Sequence, residues 1–195
     1  MADDQRFTEL VSLGCHDLRT PLATVYGFAR TLARSELEEP AARYVAMIAA
    51  AADQLDELID ELAMVARIES GRYEPVLGDL DSLALAREAA SVLDPGRVEV
   101  SGAGAAVRAD PRHTPRALTC LARVASKHGD NQSVAVVVRG AELEISPVSE
   151  TAAPVLLGER LLELGAAASA AHLRALGGSL EAGDDRLLIR LPEAG

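Results

Sequence analysis

His16 is followed at once by Asp17, with Thr20 four residues on, in the run His16-Asp17-Leu18-Arg19-Thr20-Pro21-Leu22. An imidazole is neutral and nucleophilic near pH 7, so a solvent-facing histidine is able to accept a transferred group. A carboxylate beside it that takes a hydrogen bond from one ring nitrogen fixes the tautomer and leaves the other nitrogen free to attack. On a helix, residues four apart share a face, which puts the Thr20 hydroxyl on the side of His16. Arg19 and Arg30 supply positive charge near an incoming anion. The other chemically able residues stand in poorer company. Cys15 and Cys120 form neither a CxxC pair nor a Cys/His set at metal spacing, and both are expected as reduced thiols, Cys15 packed in a helix seam. His113 and His172 are expected as unpaired surface histidines, and Lys127-His128 as an ordinary helix end.

The element that must present His16 is long and apolar-periodic. Val11, Leu18, Val25 and Leu32 recur at one heptad position and Phe7, Gly14, Pro21 and Phe28 at another. Together they predict one buried stripe on a helix from about Thr8 to about Arg34, with His16 opposite it in water. Pro21 lacks a backbone donor and is expected to kink that helix a turn after His16. Ser35 to Pro40 breaks the period. A second helix follows, its rows Ile48, Leu55, Leu62 and Val45, Ala52, Ile59, Ala66 alternating, with acidic residues opposite, until Gly71 ends it. Met47, Leu58 and Val65 widen its apolar face beyond what a two-helix seam covers, so two hairpins are expected to pair as a dimeric four-helix bundle.

After Tyr73-Glu74-Pro75 the pattern changes to short mixed elements. Helices are expected over Leu80–Leu93, Pro115–His128 and Pro154–Leu176. Strands are expected over Arg97–Ser101, Ala106–Ala109, Ser133–Arg139 and Glu142–Ser146. A last hairpin, Ser179–Ala182 with Arg186–Leu191, turns at Gly183-Asp184-Asp185. The predicted organisation is a helical hairpin over 1–72 and, over 73–195, an α/β sandwich with helices on one side of a mixed sheet. A net charge of −11 argues against nucleic acid or an anionic membrane as partner, since either needs a basic surface. No signal peptide opens the sequence, and its longest apolar run, near Ala46–Ala52, is too short for a bilayer. The expectation is a cytoplasmic chain that, if complete, takes its input from another protein.

The stretch from His16 to Pro21 resembles the phosphoacceptor motif His-(Glu/Asp)-x-x-(Thr/Asn)-Pro of two-component histidine kinases at each of its positions. Arg67-Ile68-Glu69-Ser70-Gly71-Arg72 resembles the end of the second hairpin helix in the same family. Leu164-Gly165 and Gly177-Gly178-Ser179-Leu180 resemble remnants of its ATP-binding domain. The resemblance implies His16 as phosphoacceptor, Asp17 as its orienter, and Thr20 as the group that positions water for phosphatase chemistry. It also implies a homodimer, and receiver domains that dock near Leu13, Arg19, Leu22 and Tyr26.

The ATP-binding blocks of the family are not matched. Where it has Asn-x-x-x-Asn-Ala-x-Lys-Tyr, this chain has Cys120-Leu121-Ala122-Arg123-Val124-Ala125-Ser126-Lys127-His128. Val124 has no oxygen for the magnesium that the second asparagine holds. Asp-x-Gly-x-Gly is replaced by Ser146-Pro147-Val148-Ser149-Glu150, and of the last glycine block only Gly165 remains, before Ala166-Ala167-Ala168. Without glycines the backbone N–H groups cannot close on a phosphate. The expected function is that of a histidine phosphotransferase of a phosphorelay, with a degenerate ATPase-like domain and no cofactor of its own, the Mg2+ being held by the partner receiver. The alternatives are a divergent kinase that autophosphorylates His16 with ATP, and a non-catalytic dimeric regulator of a kinase or response regulator.

Overall fold

The computed structural model describes residues 2–35, 37–94, 96–128 and 133–195, with side chains from residue 7. The chain forms two compact units, Met1–Arg72 and Tyr73–Gly195.

The first unit is a pair of helices, α1 (Ala2–Ala33) and α2 (Ala41–Glu69). α1 runs through Pro21 as one helix. Small residues make the seam: Cys15 and Ala29 of α1, and Val45, Ala52, Ala63, Met64 and Ala66 of α2, are buried. Short side chains let two backbones approach closely, and this corrects the predicted stripe of α1. Phe7, Leu18, Val25, Phe28 and Leu32 lie exposed rather than in the seam, and so do Met47, Ile48, Leu55, Leu58 and Leu62 of α2. The heptad pattern identified apolar faces, but the bulky rows do not meet inside one chain. α2 ends in a Schellman motif: Gly71, at φ 66°, donates to Ile68 O and Arg72 donates to Arg67 O.

The second unit holds a five-stranded sheet in the order β2 (Val98–Gly104), β4 (Val134–Gly140), β5 (Glu142–Ser146), β7 (Arg186–Arg190), β6 (Ser179–Gly183). β2 is parallel to β4 and the other pairs are antiparallel. A separate ribbon pairs β1 (Gly78–Asp81) with β3 (Ala106–Ala109). Strand alternation sends Val136, Val138, Leu143, Ile145, Leu187 and Ile189 into the core, where α3 (Ser82–Ser91), α4 (His113–His128) and α6 (Leu164–Ala175) supply Leu85, Leu121 and Leu173. The opposite face carries ion pairs such as Arg190 with Glu142 and Glu181. Asp184 and Asp185, both at positive φ, close the β6–β7 turn at the expected position.

Two elements differ from expectation. The helix predicted from Leu80 begins at Ser82, because the Asp81 side chain accepts from Ala84 N (2.8 Å) as its N-cap, which releases Gly78–Asp81 to form β1. The helix predicted over Pro154–Leu176 is two: α5 (Ala153–Leu156) stops at Gly158, whose φ of 70° leaves the helical region, and α6 starts after Glu163.

His172 is not a surface histidine. It is fully buried on α6, its Nδ1 2.8 Å from Tyr73 Oη and its Nε2 3.3 Å from Thr114 Oγ1, so both ring nitrogens have hydrogen-bond partners. His113 is paired as well, its Nδ1 lying 3.1 Å from Asp110 Oδ1, which also accepts the His113 and Arg112 N–H groups at the start of α4. Asp110 Oδ2 takes Val76 N–H (3.3 Å), so the segment after Tyr73 is fastened to this network at two points. Tyr73→Phe leaves a buried ring nitrogen without its partner and is expected to destabilise the second unit by about 1–3 kcal/mol in chemical denaturation. An unchanged midpoint would remove this bond from the account.

Candidate functional site

Cys15 is buried in the α1–α2 seam, and one residue further round the helix turns His16 outward. The His16 side chain is 79% exposed and that of Asp17 69%, with Nδ1 and Oδ1 3.3 Å apart. Asp17 is therefore within reach of Nδ1, on a ring that is otherwise open to solvent. Thr20, one turn on, is exposed, and its carbonyl accepts from Thr24 Oγ1 (3.1 Å).

The two arginines expected to offset phosphate charge have partners in the hairpin. Arg19 Nη2 pairs with Asp60 Oδ1 across to α2, and Arg30 Nη1 donates to Tyr26 Oη (3.1 Å), with its guanidinium 5.4 Å from that ring's centre. Of the docking candidates, Leu13 is exposed while Arg19, Leu22 and Tyr26 are half-buried. His16, Asp17 and Thr20 thus form one solvent-facing group on α1, beside a side-chain tie from Arg19 to α2. Among the described residues no cluster of His, Cys, Asp and Glu is arranged to hold a metal, and no helix is long and apolar enough to cross a membrane.

Residues 8–71 match the His Kinase A (phospho-acceptor) domain. The hairpin is a His Kinase A (phospho-acceptor) domain. No curated protein sequence matches it. Among solved structures, ShkA, crystallised full-length in complex with AMPPNP, superposes on 95% of this chain with a TM-score of 0.72 and 23% identity. This chain spans 46% of ShkA's length. The Acinetobacter baumannii histidine kinase AdeS superposes on 92% of it, over 98% of its own chain, with a TM-score of 0.60 and 18% identity. Both likenesses are of fold, and they extend past the phospho-acceptor domain into a second unit with the kinase-like ATPase fold.

In that second unit α4 carries Cys120 to His128. Cys120 and Val124 are buried, Val124 being 4% exposed. Lys127 Nζ is held 2.5 Å from Glu163 Oε1, and His128 Nε2 lies 3.6 Å from the same oxygen. The hydrogen bond from Lys127, against an opposing cost of burial, keeps the Glu163 carboxyl below its ordinary range. Lys127 and His128 are therefore engaged with the segment that leads into α6, which their sequence neighbours did not foretell. Ser149 Oγ donates to His128 O (2.9 Å), Val148 is buried, and Gly165 lies inside α6 rather than in a loop.

Proposed function

We propose that this chain is a histidine-containing phosphotransfer protein of a two-component phosphorelay, which carries a phosphoryl group on His16 between receiver-domain aspartates and binds no ATP of its own. The His16 Nε2 attacks the phosphorus of an aspartyl phosphate on one receiver. The P–O bond to that aspartate breaks, and the group later leaves His16 for the carboxylate of a second receiver. Asp17 orients the ring, and Mg2+ is the receiver's, not this chain's. Thr20 is placed to position water for hydrolysis of a receiver's aspartyl phosphate. Leu13, Arg19, Leu22 and Tyr26 border the docking face. The bulky exposed rows of α1 and α2 are read as the face on which a second copy completes a four-helix bundle. The second unit, with its degenerate nucleotide blocks, serves as a further docking surface for the receiver. The protein works in the cytoplasm, without nucleic acid or membrane as partner.

The observation that carries the ATP-free part of this reading is the row Cys120–Val124 on α4. Both are buried, and by the family resemblance they stand in place of two asparagines, so a thiol and an isopropyl group replace the oxygen that a magnesium-bound triphosphate needs. The rival reading, autophosphorylation by ATP, draws on the intact acceptor motif and the shared fold but requires ligands that this row lacks. Calorimetric titration of the full chain with Mg·ATP is expected to give no saturable binding up to about 1 mM, the weak end of substrate affinities. Saturation at micromolar concentration would transfer the assignment to a divergent kinase.

A further inference from the structure

A cleft of about 390 Å3 opens between the end of α3, the start of β2 and the last turns of α4, about a third of a helical turn round α4 from Cys120 and Val124. Its apolar wall is made by Val92, Leu93, Val98 and Ala122. Val92, just past α3, is 73% exposed, a branched side chain that a ligand in the cleft would cover. Behind this wall lies a void of about 10 Å3 among Ala86, Ala89 and Ala90, which shares Val98 and Ala122 with the cleft. An apolar void of that size stays dry.

The polar side of the cleft is basic in a chain of net charge −11: Arg97, Arg123 and Lys127 against Asp94. Arg123 and Lys127 are four apart on α4 and stand on one face. Lys127 already serves Glu163, which leaves Arg123, exposed and without an ion pair to any described residue, as the principal cation. A guanidinium presents paired donors that match the oxygens of a phosphate or carboxylate. The volume lies in the range of small-molecule sites, and an apolar wall with a few convergent polar groups is their usual composition.

We propose that this cleft binds a small amphiphilic anion, an aryl or acyl phosphate or carboxylate, with its head on Arg123 and its apolar body against Val92, Leu93 and Val98. The site lies in the second unit and does not depend on the chain's phosphotransfer chemistry. The full chain is titrated with phenyl phosphate, with inorganic phosphate and with benzyl alcohol, which offer both halves, the head alone and the body alone. Phenyl phosphate is expected to saturate at a Kd at least about tenfold below either partial probe. Arg123→Glu, at an exposed position, should raise that Kd at least about tenfold while leaving Tm unchanged, and His16→Gln should leave it as it is. Phenyl phosphate binding no more tightly than inorganic phosphate, or equally well to Arg123→Glu, would overturn the assignment.

Discussion

Replacing His16 with glutamine is expected to reduce phosphoryl acceptance from a phosphorylated receiver by at least about three orders of magnitude, to background, with the fold intact. Glutamine keeps the length and polarity of the side chain but has no lone-pair nitrogen able to attack phosphorus. The side chain is 79% exposed on α1 and, among the described residues, bonds only its neighbour, so melting should shift by no more than about 0.5 kcal/mol. Asp17→Asn should do less, of the order of tenfold, since it removes the group that orients Nδ1 and spares the nucleophile. A quench of labelled receiver and chain, resolved on a gel, measures both. A His16→Gln protein that still takes label would place the acceptor elsewhere.

The second large effect is on stability and depends on pH. Burial, opposed by the Asp110 charge and reinforced by that of His113, pushes the His172 pKa down to about 4 from 6.5. In the unfolded chain His172 takes a proton below pH 6.5, whereas in the folded unit it resists until about pH 4. The stability owed to the neutral, buried ring is therefore complete above pH 6.5 and is lost as pH falls to about 4, a change of roughly 3 kcal/mol. Asp110 pulls the same way further down. Burial raises its pKa, but the His113 and Arg112 N–H groups and the His113 ring outweigh this and hold it below 3.8. Denaturant midpoints of the second unit at pH 7 and pH 4.5 should separate the two groups: His172→Gln should lose most of the slope above pH 4.5, and an equal slope in both proteins would contradict the assignment.

What could be read from sequence follows from how local each feature is. The acceptor group lies within one turn of one helix, so residue types and spacing were enough to place His16, Asp17 and Thr20 on a common face. The β4–β5 and β6–β7 turns are legible because Gly140-Ala141 and Asp184-Asp185 lie between short apolar strands. The face of α1 that meets α2 was not. Periodicity marks the bulky row as apolar, yet the seam forms where Cys15, Ala29, Ala52 and Ala66 permit close approach. The burial of His172 is not legible in sequence because its partners are remote. Tyr73 is 99 residues away and Thr114 is 58, and nothing in the local run Ala170-Ala171-His172-Leu173 announces them. The break between α5 and α6 rests on one glycine at positive φ inside an otherwise helical pattern.

The central claim is the source of the phosphoryl group. Purified chain is incubated in parallel with γ-labelled Mg·ATP and with a receiver domain already labelled on its aspartate, each beside the His16→Gln protein. The account predicts acid-labile label on the chain from the receiver, none from ATP, and none on His16→Gln. Label that comes from ATP and depends on His16 would contradict it, and would show that the second unit delivers a nucleotide phosphate despite the buried Cys120 and Val124.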